Sequence, residues 1–525
     1  MPQQPQPQTG ADPGEIEKTH VYNGLGTAED PFLVEFRADD AGNPMNWSRS
    51  RKWTITAIVT VSVFAVTFTS SAYSVSSSEI MQEFNVSSEV STLGLSLFVL
   101  GFAIGPALWG PLVSSCSLGS ELYGRQRLWI ISHAAMVAFI GGSAGSKKIS
   151  TLLVLRFFGG TFGGSPLVNS GGTVADLFMP AQRGLPMTLY CVAPFLGPIL
   201  GPIVGGFISQ SVGWRWVHGV CCIFVGVAGI LGIIFVPETY GPVLLTKMAN
   251  GLSKTNGKVY ISILENSQGR KNPSEVFQRA LFRPWVMLFR EPIVLAASLY
   301  MAIVYGTVYM FMGAMPVVYN EGRGWRPGIG GLAFIGIAVG IILGLFYAIY
   351  DNNCRYMKLS LVKSATAESR LHPALVGSFA LPVGMFAFAW TNYPSIHWSV
   401  GIILSTPFGF GCVLVILPIM NYLIDSYTIY AASVLAAAAI FRSIVGAVFP
   451  LFTTQMYHNL GIHWATSVSA FLTLACLPFP FVMYRYGTEL RMRCKYAFEA
   501  TEVMKQMQAQ QVSLSTKQNG DRSME

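Results

Sequence analysis

Charge is what this chain has least of: 11% of its 525 residues are charged, 52% are hydrophobic, and the mean hydropathy is +0.47. A soluble domain carries about 25% charged residues, so this composition cannot cover a water-facing surface and fits lipid as the solvent. Cysteine is sparse: eight residues without one CxxC pair suggest neither a zinc site nor a disulfide framework, and no metal is expected. The N-terminal MPQQPQPQTGADPGE has no apolar run and is not a signal peptide. A P-loop is missing, since its nearest approach, Gly251 to Lys258, has the wrong spacing and is followed by Val259. With no HExxH and no paired His or Asp inside the apolar runs, an enzyme is not expected. No Asp or Glu lies convincingly mid-run, which counts against a polycation cargo and favours a neutral, amphipathic or anionic one. The net charge of +8 sits in short loops between apolar runs, so nucleic acid is not the expected partner.

What is present in abundance is apolar sequence. A membrane crossing needs roughly 20 such residues. Windows of that kind fall near 54–73, 91–112, 128–146, 151–175, 184–209 and 214–236, and again near 292–317, 328–350, 373–391, 398–424, 430–456 and 464–485. The fold class expected is therefore an all-α membrane protein with twelve transmembrane helices in two six-helix bundles. The bundles should occupy 47–236 and 290–485, with a disordered tail over 1–46, a polar central loop over 237–289 and a second tail over 486–525. With the N-terminus placed in the cytosol, 27 of the 34 Lys and Arg fall on the cytosolic side and 5 in the outer loops, as the positive-inside bias requires. Both termini are then cytosolic. Asn85-Val86-Ser87 is a glycosylation sequon in the first outer loop, whereas Asn46-Trp47-Ser48 falls inside and should stay bare.

Two bundles facing each other across a midplane site suit transport by rocking. Without an ATPase domain, the energy comes from an ion gradient or from the cargo's own gradient, and no cofactor is needed. Span five reads CVAPFLGPILGPIVGGF, so Gly197, Gly201 and Gly205 share one helix face, while Pro198 and Pro202 each remove a helix hydrogen bond. Span eight repeats the device with Gly336, Gly340 and Gly344. These faces are expected to pack on each other across the bundle interface and seal one side of the pathway; ordinary packing of membrane helices is the alternative. Spans seven and ten are rich in aromatic and Met side chains, and Tyr305, Tyr309 and Phe408 are candidates for lining an adaptable cavity.

Several motifs resemble those of the major facilitator superfamily. Gly197-x₃-Gly201-Pro202-x₂-Gly205-Gly206 resembles the antiporter motif of its drug exporters. Leu152-x₃-Arg156-x₃-Gly160 looks like the span-four motif whose Arg is implicated in proton coupling, and SELYGRQRLW looks like a degraded GxxxDRxGRR loop, with Glu121 in the acidic place and Gly124, Arg125 and Arg127 retained. NPMNWSRSRKW, ADLFMPAQRG, PETYGPVLLTKMA, PSIHW and NYLIDSYTIYAASVLAAAAIFRSIVGAVFPLF are similar to stretches of the fungal branch of its twelve-span drug:proton antiporters. The likeness covers roughly residues 43–490. Val113 to Gly119 depart from it, as a true insertion or a misplaced splice boundary, and put coupling through that loop in doubt.

The resemblance implies a monomeric, multi-pass protein of the plasma membrane, or alternatively the vacuolar membrane. It implies exchange of protons for a small-molecule cargo such as a drug, toxin or fungal metabolite. A polyamine exporter, a nutrient facilitator or symporter, and a non-transporting receptor are the other readings. An ionisable group within a span is costly and hence a functional candidate. Arg156 is read as serving proton coupling or substrate sensing, with a structural hydrogen-bond hub as the alternative, and Arg442 divides the same way. Asp176 and Asp425 are expected to join Arg125, Arg127 and Arg183 in one cytosolic charge network that closes the inner gate, the alternative being simple solvation. Glu238 and His218 are expected to be structural.

Overall fold

A computed structural model of the chain describes residues 24–37, 39–114, 124–179, 182–268, 273–362, 366–393 and 395–504. Glu121 and residues 115–119 of the departure from the family pattern lie outside these. Ten stretches of the described residues are long and apolar enough to cross a membrane. Nine are single crossings, and the tenth, Trp398–Arg493, holds three.

The first half comprises α1 (Arg49–Ala72), a short α2 (Ser77–Phe84), α3 (Ser88–Ser114), α4 (Gly124–Ala144), α5 (Ile149–Leu177), α6 (Gly184–Val212) and α7 (Trp214–Phe235). A linker follows with α8 (Gly241–Asn256), α9 (Ile263–Gln268) and α10 (Pro273–Arg290). The second half comprises α11 (Pro292–Met315), α12 (Pro327–Gly331), α13 (Ile335–Asp351), α14 (Met357–Leu361), α15 (His372–Thr391), α16 (Trp398–Leu404), α17 (Thr406–Tyr427), α18 (Ala431–Cys476) and α19 (Pro478–Arg493). Ser48 caps α1 by accepting from the Arg51 amide, and Pro292 opens α11 where its missing N–H costs nothing.

α18 is two crossings joined at Gly461, whose φ of 75° and ψ of 164° break the helix. Before the break the chain runs alongside α11 in the same direction, with Gly446 beside Tyr305 and Thr453 beside Gly313. After it the direction reverses: Ser469 meets Met310 and Phe479 meets Tyr300. With nine other crossings plus α17 and these two, the count is twelve.

Both ends of the described chain lie on one face. β1 (Phe32–Val34) pairs in parallel with β2 (Tyr260–Ser262) of the linker. At the other end the Tyr496 amide donates to Glu291, at the start of α11, over 3.0 Å. This face is called the terminal face below, and its opposite the far face. The tail is not disordered throughout to residue 46. Phe32 and Val34 of its apolar FLVEF segment enter a cluster with Leu245, Ala249 and Tyr260, so burial of apolar surface orders it.

The glycine faces do not meet each other. Methyl groups added at Gly197, Gly201 and Gly205 would strike α1, Gly201 lying 2.7 Å from the Phe68 carbonyl oxygen by that measure. Gly340 and Gly344 of α13 lie against α17 at Phe410, and Gly336 lies against Ile402 of α16. Each face packs within its own half, which overturns the expected pairing. The halves are sealed instead by Gly206 against the Pro327 carbonyl (2.7 Å) and by Gly331 against that of Pro202 (2.6 Å). The spacing identifies a smooth face, while the neighbour is chosen by the fold.

Candidate functional site

The two arginines inside the crossings have opposite surroundings. Arg156 of α5 is 2% exposed. Its Nε donates to the Gly94 carbonyl of α3 (3.0 Å), Nη1 to that of Thr69 (3.1 Å) and Nη2 to that of Ser70 (2.9 Å), both on α1. Tyr73 and Phe98 place their rings 4.6 and 4.3 Å from its guanidinium carbon. Carbonyl dipoles and ring faces thus solvate a cation that has no carboxylate partner among the described residues. Arg442 of α18 has one ring neighbour, Tyr305, at 4.9 Å, and its buried Nε finds no acceptor.

A polar relay runs between them. Tyr305 donates to the Tyr309 hydroxyl at 3.4 Å, Tyr309 shares a hydrogen bond with Ser70 Oγ at 2.9 Å, and Ser70 donates to the Thr67 carbonyl at 2.6 Å. Tyr305 and Tyr309 stand on α11 and Ser70 on α1, so the relay crosses from one half to the other. Ser70 is the hinge point, because its carbonyl holds Arg156 while its hydroxyl holds Tyr309. Phe195 of α6 meets the Tyr305 ring edge-on at 6.3 Å. Tyr305 and Tyr309 therefore face the seam, as their shared helical face suggests. Phe408 does not: it packs on Phe311 at 4.8 Å, inside the second half, where α17 presents that side to α11 and α15.

At the far face the halves are closed. Besides the glycine contacts, the Gly328 amide donates to Gln210 (3.2 Å) and Gln455 donates to Glu89 (2.8 Å). At the terminal face a cleft opens between Thr188 of α6 and Asp351, Asn352, Arg370 and Asn421 of the second half.

The terminal-face charges form two groups, one per half, rather than one network. Arg125 grips Asp176 at 2.6 and 3.3 Å, helped by Thr239 at 3.3 Å. Glu238 accepts the amides of Arg125, Gln126, Thr239 and Tyr240 at 2.9 to 3.2 Å, so it fastens the α4 start to the end of α7. Gly124, with φ of 64°, leaves room for that carboxylate. Arg183 donates to the Phe178 carbonyl at 2.7 Å; burial draws its guanidinium below the ordinary value, opposed by the nearby Asp176 charge. Arg127 is exposed and joins neither group. Asp425 pairs with Arg370 at 2.9 Å, away from the arginines it was expected to meet. Beside it, Arg355 binds Asp351 through two 2.7 Å contacts and Arg491 binds Glu368 at 2.8 Å. Asp351, Arg355, Glu368 and Arg370 are missed by the sequence reading, because each sits between the apolar runs in a stretch of ordinary charge density and gains its partner only in space.

His133 is also missed. It is buried on α4, with Nε2 2.5 Å from Ser62 Oγ and Nδ1 3.0 Å from the Trp129 carbonyl. His218, expected to be structural, has Nδ1 at 3.2 Å from the Trp214 carbonyl and packs edge-on against Tyr73. Asn85 is exposed at the left-handed end of α2, with φ of 50°.

Twelve crossings in two halves, a polar seam between them and a closure at one face define a membrane transporter rather than an enzyme. The chain matches the Major Facilitator Superfamily over residues 59–450 and belongs to that family. It is 72% identical over 517 residues to the major facilitator-type transporter sorT of Penicillium rubens, covering 98% of each chain. To the MFS-type efflux pump MFS2 of Trichophyton rubrum it is 55% identical, covering 96% of this chain and 84% of the relative. To the multidrug transporter mdrA of Aspergillus fumigatus it is 53% identical, covering 94% and 80%. In fold it is similar to the xylose transporter XylE of E. coli in a partially occluded inward open conformation, with a TM-score of 0.59 at 18% identity over 83% of this chain and 98% of that one.

Proposed function

We infer that the protein is a proton-coupled antiporter that exports small amphipathic compounds, drugs or fungal metabolites among them, by alternating access. The relatives named efflux pumps and multidrug transporters support export, and the motif on α6 supports antiport. The observation that carries the reading is the relay from Arg156 through Ser70 and Tyr309 to Tyr305 and Arg442. A buried cation in one half is thereby wired to the seam where cargo would sit. Rocking of the halves has to break the Ser70–Tyr309 bond, so occupancy of the seam and the state of the Arg156 cluster bear on the same contact. No carboxylate takes part in the relay among the described residues, which disfavours the polyamine reading.

On this reading the terminal face is cytosolic, the far face is extracellular, and the protein resides in the plasma membrane. The cleft at the terminal face then marks the cytosolic entrance, with Arg370, paired to Asp425, in its lining. The test is transport in proteoliposomes with an imposed pH gradient and a panel of radiolabelled neutral and acidic amphiphiles. Uptake of at least one compound into acid-loaded, inverted vesicles is expected to collapse with a protonophore. Flux that persists without the gradient, or that ATP alone sustains, would overturn the reading.

A further inference from the structure

Most membrane-embedded charges in this protein are accounted for. Arg156 has three carbonyl acceptors and two ring faces. Arg125 has Asp176, and Arg370 has Asp425. Arg442 is the exception: its guanidinium forms no hydrogen bond and no ion pair among the described residues, and its Nε is buried without an acceptor. A half-buried guanidinium inside a crossing with no anion beside it is costly to keep. It persists where something else neutralises it or where its charge is used.

The position of Arg442 says what that use is. It projects from α18 toward the seam, over the ring of Tyr305 at 4.9 Å, and Phe195 of α6 meets that same ring from across the seam. The rings nearby, Phe195 and Tyr305, are apolar bodies. Aromatic faces and one unneutralised cation make a site for a flat, acidic, partly aromatic molecule. A cationic cargo would be repelled, and a neutral one would leave the guanidinium unpaired.

Resting on the exporter reading, we propose that the cargo is an organic anion, an aromatic carboxylate, whose charge pairs with the Arg442 guanidinium at the seam. Arg442 is then the specificity-determining residue for acidic over uncharged compounds, with the Tyr305 ring beside it. A planar guanidinium fork matches a carboxylate through two parallel bonds, which an ammonium cannot do, so lysine should replace arginine only in part.

The experiment uses the full chain purified in detergent and a panel of aromatic acids each matched to its amide: 2-naphthoate with 2-naphthamide, indole-3-acetate with indole-3-acetamide, salicylate with salicylamide. Binding is read by the shift in thermal unfolding as each compound is titrated. At least one acid should half-saturate at a concentration about tenfold below its amide, the lower end expected for a charge-assisted hydrogen bond. Arg442→Gln should reduce that ratio to about one, and Arg442→Lys should leave it intermediate. The wild-type ratio decides the matter even if Arg442→Gln yields no folded protein. Amides binding as well as their acids throughout, no acid binding at all, or an unchanged preference in Arg442→Gln would each overturn the anion site. Proton-driven flux of neutral compounds with no acid preference would sink this site and leave the exporter standing. Acid preference without gradient-driven flux would do the reverse.

Discussion

Two glycines on one helix offer a matched pair of perturbations. A methyl group at Gly201 would strike Ser71 Oγ and lie 2.7 Å from the Phe68 carbonyl oxygen on α1, and one at Gly206 would lie 2.7 Å from the Pro327 carbonyl oxygen at the head of α12. Against the backbone each falls about 0.7 Å short of an ordinary contact, and forced overpacking of this size costs about 1–3 kcal/mol. The difference is where the cost falls. α1 and α6 belong to the same half, so rocking of rigid halves keeps their contact and Gly201→Ala penalises all folded states alike. The unfolding temperature should drop while the balance between open and closed forms stays put. Gly206 touches the other half, so Gly206→Ala penalises only the form closed at the far face. A penalty of about 1–3 kcal/mol there moves the balance about 5- to 150-fold toward the far-open form. The readout is the rate of crosslinking between cysteines placed at Glu89 and Gln455, whose side chains are 2.8 Å apart in the closed form, measured beside thermal unfolding. Crosslinking should slow in Gly206→Ala and hold in Gly201→Ala. Equal losses of unfolding temperature in both, with unchanged crosslinking in both, would refute the division of α6 into an intra-half and an inter-half segment.

Other outcomes follow from single contacts. Tyr309→Phe removes the hydroxyl that joins Ser70, a loss of about 0.5–1.5 kcal/mol per hydrogen bond, and should change transport rate in proteoliposomes with little effect on unfolding temperature. Asp176→Asn should lower transport, and the swapped pair Arg125→Asp with Asp176→Arg should recover part of it if the pair acts by attraction across the gap from α4 to α5. Phe32→Ala should loosen β1 from the linker and speed limited proteolysis near Lys258, with transport monitored in parallel. If the far face is extracellular, the exposed Asn85 is open to glycosylation, and any endoglycosidase-sensitive mass in yeast-expressed protein should vanish in Asn85→Gln.

Hydropathy made the crossings legible because lipid imposes a length and an apolar composition on each of them. The two intramembrane arginines stood out for the same reason, since a charge in a span is conspicuous. What they touch was not legible. Arg156 is satisfied by three carbonyls from two separate parts of the chain, at residues 69 and 70 and at residue 94, and backbone carbonyls leave no trace in a sequence. The glycine repeats revealed a smooth helix face but not its neighbour, because periodicity fixes which residues share a side and the packing fixes what lies opposite. Asp425 was grouped with the wrong arginines because both groups lie at the same depth, and depth is all that position in a span conveys. Arg370 sits 55 positions away and still supplies its partner.

The reversal at Gly461 has a mechanical consequence. A φ of 75° with a ψ of 164° is a backbone state essentially reserved for glycine, and helix resumes at once on either side. The eleventh and twelfth crossings are therefore joined with no slack and behave as one bent lever. Arg442 rides on the first arm, and the second arm passes through Leu477 into α19, where Arg491 is anchored to Glu368 at the terminal face. Any load that tilts the first arm is carried round the bend and delivered to the strut beneath the C-terminal tail.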